Sequence, residues 1–256
     1  MGASSADGER GAWAGLWPGW ALALLTISLA LTACRPTLPW TRDQRAPEVN
    51  LSFVLEKNLI YLNSAQINGA RGKYFFASAN ARTVFDPTLT EQLRSRRYRL
   101  QLNERESIPV IPLVLDLGGL GDALIGADVW GPYAVTIDYA SGLLSYQKEG
   151  IHPAYMTLFA FEQEPMILVE VNGQQIAAVV DTSSPGTLVL PRSSAGERTR
   201  ATVVIAGTDF GEIDIALGET TRARVGNRLL SKFLVTIDYG RGQVGLWRDP
   251  RIPLDL

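Results

Sequence analysis

Three kinds of residue in this chain could carry chemistry, and two of them occur only once. Cys34 is the sole cysteine and His152 the sole histidine. The third is the run Asp181-Thr182-Ser183, a carboxylate and two hydroxyls set between the apolar stretches Ile176 to Val180 and Thr187 to Leu190. A single histidine, placed between two similar halves of the chain, gives no support to a Ser-His-Asp triad or to a histidine-based metal site. Gly118-Gly119-Leu120-Gly121 lacks the Lys and the Ser or Thr that a phosphate-binding loop places after its glycines, so it reads as a turn. Asp138 and Asp238 recur symmetrically, each at a strand end ahead of a glycine, where an aspartate opens a hairpin turn. Neither a cofactor nor a metal is expected.

The N-terminus assigns a use to the cysteine. Met1 to Arg10 is polar and ends in a positive charge, and Leu16 to Leu31 is almost continuously apolar. That is the pattern of an export signal. The apolar run is shorter than the roughly 20 residues a membrane-crossing helix needs. Leu31-Thr32-Ala33-Cys34 resembles the lipobox of bacterial lipoproteins, which implies cleavage after Ala33, diacylation of Cys34 and attachment to a membrane of the cell envelope. A lone cysteine in an exported chain has no disulfide partner, and lipidation supplies another role for it. The other reading is an ordinary secretory signal or an uncleaved anchor with an incidental cysteine. Arg35 is not acidic, which in lipoproteins of double-membraned bacteria goes with delivery to the outer membrane. Residues 1–33 are thus the expected signal and 34–50 a spacer, with Pro36 to Pro47 showing no periodicity. The net charge of −2 gives no electrostatic reason to expect nucleic acid as a partner. The one basic cluster, Arg94, Arg96, Arg97 and Arg99, alternates into Leu100 and Leu102 as the solvated face of a strand would.

Comparison of the chain with itself shows how it is organised. Val135-Thr136-Ile137-Asp138-Tyr139 is identical to Val235-Thr236-Ile237-Asp238-Tyr239, a shift of 100 residues that also brings Gly142 onto Gly242. Upstream, Ile67-Asn68-Gly69 matches Val171-Asn172-Gly173 and Thr83-Val84-Phe85 matches Thr187-Leu188-Val189, both at a shift of 104. The order is preserved, so the chain is a duplication: repeat one spans about 51–149 and repeat two about 155–248.

Each repeat reads as β-structure, because its apolar stretches are short, β-branched and separated by turn signals. Asn68-Gly69 and Asn172-Gly173 suit type I′ hairpin turns, where both central residues need positive φ. The strand ending at Asp138-Tyr139 turns at Gly142 and returns through Leu143, and the strand at Asp238-Tyr239 does the same through Gly242 and Gln243. Thr88 to Arg97 is the best helix candidate, with Leu89 and Leu93 four apart and Thr88 or Thr90 available as a cap. The expectation is an all-β protein with few short helices.

On this framework Val169 to Pro191 resembles the first half of a retropepsin or pepsin lobe: a strand, an Asn-Gly hairpin, an apolar strand, an Asp-Thr-Gly/Ser loop and a second apolar strand. Ser183 stands where that family usually has glycine. Leu124-Ile125-Gly126 matches the two apolar residues and glycine that such a lobe carries later, and Arg224-Val225-Gly226 matches them in part. The resemblance covers Leu51 to Arg248. It implies a bilobal, pepsin-like pair of tandem retropepsin-like β-barrels, with Asp181, Thr182 and Ser183 as the candidate catalytic loop.

The chemistry of that family needs two aspartates face to face sharing one proton, one activating a water while the other, protonated, polarises the scissile carbonyl. Here the shift of 104 sets Ala77-Ser78-Ala79 against Asp181-Thr182-Ser183. A pair formed within this chain has one carboxylate, and a lone aspartate in a polar loop is ionised at neutral pH with no proton to donate. Ser78 or Asn80 could position a water, yet neither replaces the acid. Two functions follow from the resemblance. One is a lipid-anchored, catalytically impaired protein whose interlobe cleft holds a peptide or another envelope protein. The other is an aspartic endopeptidase still active through Asp181, for instance by pairing two Asp181 loops in a dimer.

Overall fold

The computed structural model of the protein describes residues 49–104, 106–148, 155–195 and 199–256. Cys34, the expected signal, most of the expected spacer and His152 lie outside the described residues. Repeat one runs β1 (Val49–Glu56), β2 (Leu59–Leu62), β3 (Gln66–Ile67), β4 (Ala70–Arg71), β5 (Tyr74–Phe76), β6 (Val84–Phe85), α1 (Pro87–Leu93), β7 (Tyr98–Gln101), β8 (Ser107–Val110), β9 (Leu113–Val114), β10 (Ala123–Ile125), α2 (Ala127–Trp130), β11 (Ala134–Asp138) and β12 (Leu143–Gln147). Repeat two runs β13 (Thr157–Ala160), β14 (Met166–Val171), β15 (Gln174–Val180), β16 (Leu188–Pro191), α3 (Arg192–Ala195), β17 (Arg200–Ile205), β18 (Thr208–Gly218), β19 (Ala223–Val225), α4 (Asn227–Leu230), β20 (Leu234–Asp238) and β21 (Gln243–Trp247). The fold is mostly β with short helices, as the short β-branched stretches require.

The turns follow the local chemistry. Asn68 and Gly69 have φ of 50° and 82°, and Asn172 and Gly173 have 50° and 78°, so both Asn-Gly pairs make the turn in which each central residue is left-handed. Both asparagines then do the same second job: Asn68 Oδ1 accepts from Arg99 N at 2.9 Å, and Asn172 Oδ1 accepts from Thr202 N at 3.0 Å.

The two copies of Val-Thr-Ile-Asp pair with each other. Strands β11 and β20 run antiparallel with Thr136 opposite Thr236 at the centre and Val135 opposite Ile237 beside it. The two threonine hydroxyls lie 3.0 Å apart. An identical strand paired with itself through equivalent residues is self-complementary, like a twofold interface. The strand order around this centre, β13-β21-β20-β11-β12-β1, reads the same from either end in terms of the repeats, and the sheet continues through β2-β5-β10-β6-β9.

The repeats differ in how the rest closes. In repeat two, β14-β15-β19-β16-β18-β17 form a closed barrel. In repeat one the corresponding strands are divided between the long sheet and a four-stranded sheet, β4-β3-β7-β8, so a pair of equal barrels is not what forms. Three interruptions account for this. Residues 63–65 break β2 from β3 where β14 is continuous. Gly72, where a Cβ would collide with the Tyr74 ring and the Asp122 carboxylate, breaks β4 from β5 where β15 is continuous. Pro112, with no N–H for a ladder, separates β8 from β9 where β18 runs unbroken for 11 residues.

The helix also departs from expectation. It begins at Pro87 and ends at Leu93. Asp86, rather than Thr88 or Thr90, caps it, its Oδ1 accepting from Thr88 N at 3.0 Å and Thr88 Oγ1 at 2.6 Å. An aspartate before a proline is a strong start signal, since Pro87 fills a position whose N–H needs no partner. Arg94 turns left-handed at φ 45° and stops the helix. Arg94, Arg96, Arg97 and Arg99 are all exposed, and of the four only Arg99 lies in a strand.

Trp130, Phe76 and Tyr146, all fully buried, pack edge to face in the core of repeat one, at ring separations of 5.2 and 5.9 Å. Each such side chain contributes about 1.5–3 kcal/mol by leaving water.

Candidate functional site

The loops at Ala77 and Asp181 are held by their own repeats in the same way. Ala77 N donates to Ile125 O at 3.0 Å, and Asp181 N donates to Val225 O at 2.9 Å. The glycine after each acceptor is required by packing. A Cβ on Gly126 would meet the carbonyl oxygens of Asn80 and Arg82, and one on Gly226 those of Ser184 and Gly186.

The two loops then hold each other. Ser78 N donates to Thr182 Oγ1 (2.9 Å) and Thr182 N to Ser78 Oγ (3.1 Å). The hydroxyls donate onward across the junction, Ser78 Oγ to Val180 O (2.5 Å) and Thr182 Oγ1 to Phe76 O (3.0 Å). Both side chains are fully buried. Every donor and acceptor in this ring of four bonds is satisfied, which a buried polar cluster needs in order to stabilise rather than cost.

Tyr139 and Tyr239, equivalent residues of the two copies, reach across to the opposite repeat. Tyr239 donates to Ser78 O at 2.9 Å. Tyr139 donates to Asn227 Oδ1 at 2.7 Å, and Asn227 Nδ2 in turn reaches Thr182 O and Asn58 O, each at 2.6 Å. Burial pushes both phenols well above their ordinary value, so they stay neutral donors.

Around this shared frame the two halves differ in charge. Asp181 is 4% exposed. Its Oδ1 accepts from Ser183 N (3.0 Å) and Ser183 Oγ (2.6 Å), and its Oδ2 from Arg224 Nη1 (2.9 Å). Asn80 Oδ1 offers the Ser183 hydroxyl a second acceptor at 3.3 Å. Arg224 lies on β19 directly beside Val179 of β15. Leu124 occupies the corresponding place beside Phe75. Ala77 is therefore enclosed by Phe75, Val84 and Leu124, with Tyr61 and Leu117 packed on the outside, while Asp181 is enclosed by a cation and hydroxyls. Ala79 is half-buried beside them.

This arrangement restricts the chemistry. A guanidinium has no proton to share at physiological pH, so Arg224 can balance the charge of Asp181 but cannot act as the acid of a dyad. The facing loop, Ala77-Ser78-Ala79, offers no carboxyl. Asp138 and Asp238 lie in their hairpin turns: Asp138 Oδ1 accepts from Ala140 N and Ser141 N at 3.0 and 3.2 Å, and Asp238 Oδ1 from Arg241 N at 2.9 Å. Gly118 and Gly119 have φ of 61° and 73°, as turn glycines do.

Arg224 and the two tyrosines were not singled out from the sequence as site residues. For Arg224 a signal existed: it is a charged residue where the pattern of the first repeat, Leu124-Ile125-Gly126, has an apolar one. For Tyr139 and Tyr239 the signal was their place at the end of the longest identity between the repeats.

No protein-family model matches the chain, and no match to it was found among curated proteins. Among the described residues no group of three His, Cys, Asp or Glu is placed to hold a metal ion, and no helix is long and apolar enough to cross a membrane.

Proposed function

We propose that this chain is a pepsin-like protein of the cell envelope, tethered through lipidated Cys34, whose two repeats pair as lobes and whose junction holds a peptide or another envelope protein without hydrolysing it. The observation that carries this reading is the reciprocal Ser78–Thr182 ring. It sets the Ala77 and Asp181 loops face to face within one chain, where a dyad would need a second aspartate and Ala77 stands instead. The self-complementary β11–β20 pairing and the matched backbone bonds of Ala77 and Asp181 support the paired-lobe arrangement. The ion pair with Arg224 supports the loss of catalysis, since the partner that Asp181 Oδ2 meets is a guanidinium and not a second carboxyl.

Peptide hydrolysis is the test. The purified chain is expected to show no pepstatin-sensitive cleavage of a denatured-protein substrate between acidic and neutral pH, with Asp181→Asn indistinguishable from it. Cleavage abolished by Asp181→Asn and rising with the square of protein concentration would instead establish a dimeric peptidase. Such a dimer would first have to open the Ser78–Thr182 ring. The tether is tested separately: Cys34→Ser should release the protein from membranes or block its processing, and a mature chain beginning at another residue would overturn the anchor.

A further inference from the structure

A second surface, outside the repeat junction, has the features of a binding site. A groove of about 520 Å³ runs between β13 and the outer face of the repeat-two barrel. Phe159 of β13, Leu168 of β14, Val204 of β17 and Ala206 of the β17–β18 turn line it, with Glu170 among them. Leu168 is 50% exposed. The carboxylate of Glu170 takes no hydrogen bond or ion pair among the described residues. Strand β13 is the last strand of its sheet among the described residues, so no described strand pairs with the backbone N–H and C=O groups along its outer edge.

Repeat one shows what fills this place when the chain does so itself. There the connection between β7 and β8 is longer, and its residues Leu102, Asn103 and Glu106 reach back onto the repeat-one core and sheet. Leu102 is fully buried, Asn103 Nδ2 donates to the Tyr146 hydroxyl at 3.0 Å, and Glu106 accepts from the hydroxyls of Tyr133 at 2.6 Å and Tyr146 at 2.5 Å. Leu51 of β1, which occupies the position of Phe159 when Phe53 is set on Phe161, is 2% exposed. In repeat two the hairpin turns in two residues, Ala206 and Gly207, at φ of 49° and 76°. Ala206 and Gly207 line the groove opposite Thr157 and Phe159, and no other described residue covers the surface that the longer loop covers in repeat one.

We infer that this groove is a docking site for an extended peptide segment of a partner protein, one that pairs with the edge of β13, places apolar side chains over Phe159 and Leu168, and carries a Lys or Arg against Glu170. Main-chain pairing to a free edge supplies affinity, and alternate side chains supply selectivity. The charge of Glu170 selects a basic residue, because an acidic one would meet an unneutralised carboxylate. The site is independent of the pepsin-like reading. It rests on β13, the barrel and the length of one turn, and it stands whether or not Asp181 is catalytic.

Fluorescence polarisation on the full-length chain tests it, with two labelled probes: the hexapeptide Val-Thr-Val-Lys-Val-Thr and the same peptide with Glu in place of Lys. The Lys peptide should bind, and the Glu peptide should bind about tenfold more weakly or not at all, a ratio equivalent to one charge-assisted contact. Leu168→Asp should weaken the Lys peptide by about tenfold or more, and Glu170→Lys should reverse the preference between the two probes. Both positions are on the barrel's outer face, and unchanged circular dichroism checks that the variants fold. Hydrogen exchange should slow at residues 157–160 when peptide is added. Equal binding of the two probes, indifference to Leu168→Asp, absence of binding, or protection centred on β9 or on the Asp181 loop would each overturn the proposal. Concentration-dependent self-association abolished by Leu168→Asp would also overturn it, assigning the groove to a second copy of the chain.

Discussion

Thr182→Val removes one hydroxyl and keeps the side-chain shape, which makes it a sharp probe of the ring that joins the two loops. Two bonds go with it: Ser78 N to Thr182 Oγ1 at 2.9 Å and Thr182 Oγ1 to Phe76 O at 3.0 Å. Both Ser78 and Thr182 are fully buried, so water cannot replace what is lost. Leaving a buried polar group without its partner costs about 1–3 kcal/mol, and two are stranded here, Ser78 N–H and one acceptor position on Phe76 O. The expected destabilisation is about 2–4 kcal/mol. For a domain of this size that lowers Tm by roughly 5 to 15 °C, readable by urea titration or calorimetry. Ser78→Ala removes the other two bonds of the ring, those to Val180 O and from Thr182 N. Since all four close one ring, the double variant should lose less than the two singles added together, with a coupling of about 1 kcal/mol or more. A cost below about 0.5 kcal/mol for Thr182→Val, the size of an ordinary surface change, would refute the claim that this ring holds the halves of the site together.

Arg224→Leu, which copies Leu124, should destabilise the fold by about 2–4 kcal/mol, less than a wholly buried pair because Arg224 remains about a third exposed; adding Asp181→Asn should recover much of that loss, and additive costs in chemical denaturation would show that the two side chains do not interact. Gly226→Ala should cost about 1–3 kcal/mol, because its Cβ meets the Ser184 and Gly186 carbonyls, whereas Gly186→Ala, with nothing within 4 Å, should be near neutral; equal midpoints for the two variants would contradict the close approach. Hydrogen bonds from the Thr88 hydroxyl, then from the Leu117 and Thr88 amides, hold the Asp86 carboxyl below the ordinary range. A lowered carboxyl stabilises the fold fully above its ordinary value of about 3.9 and loses that contribution as pH falls through the lower folded value. The difference in urea midpoint between the protein and Asp86→Ala should therefore shrink as pH drops below about 4, and a difference independent of pH would count against the cap.

Much of this architecture is decided by short-range rules that act on neighbouring residues. Asn-Gly pairs adopt positive φ wherever they stand, so both hairpins were legible, as were the turns at Gly142 and Gly242. The shift of 104 also set Ala77 against Asp181, and the four-residue difference from the later shift of 100 is taken up gradually: Arg99 and Thr202 take the same bond at a shift of 103, and Leu113 and Ile215 the same strand partner at 102. The start of α1 was present in the sequence too, in Asp86-Pro87, although the helical periodicity drew attention to Thr88.

Other features depend on which strands lie side by side, and no local rule contains that information. Arg224 and Asp181 are 43 residues apart. They meet because β19 lies parallel to β15 in a register that sets Arg224 beside Val179, next to the loop. The same holds for Tyr139 and Tyr239, whose hydroxyls cross to the opposite repeat only because β11 and β20 pair through Thr136 and Thr236. Barrel closure in repeat two and its failure in repeat one come from three small interruptions whose effect is visible only once the strands are assembled. Sequence by itself determined the turns, the duplication and the identity of the facing loops, because these follow from backbone preferences and internal likeness. Tertiary structure alone decided that Asp181 is ion-paired with Arg224 and that, among the described residues, one flank of the second repeat is uncovered, because charge pairing and coverage are properties of distant segments brought into contact.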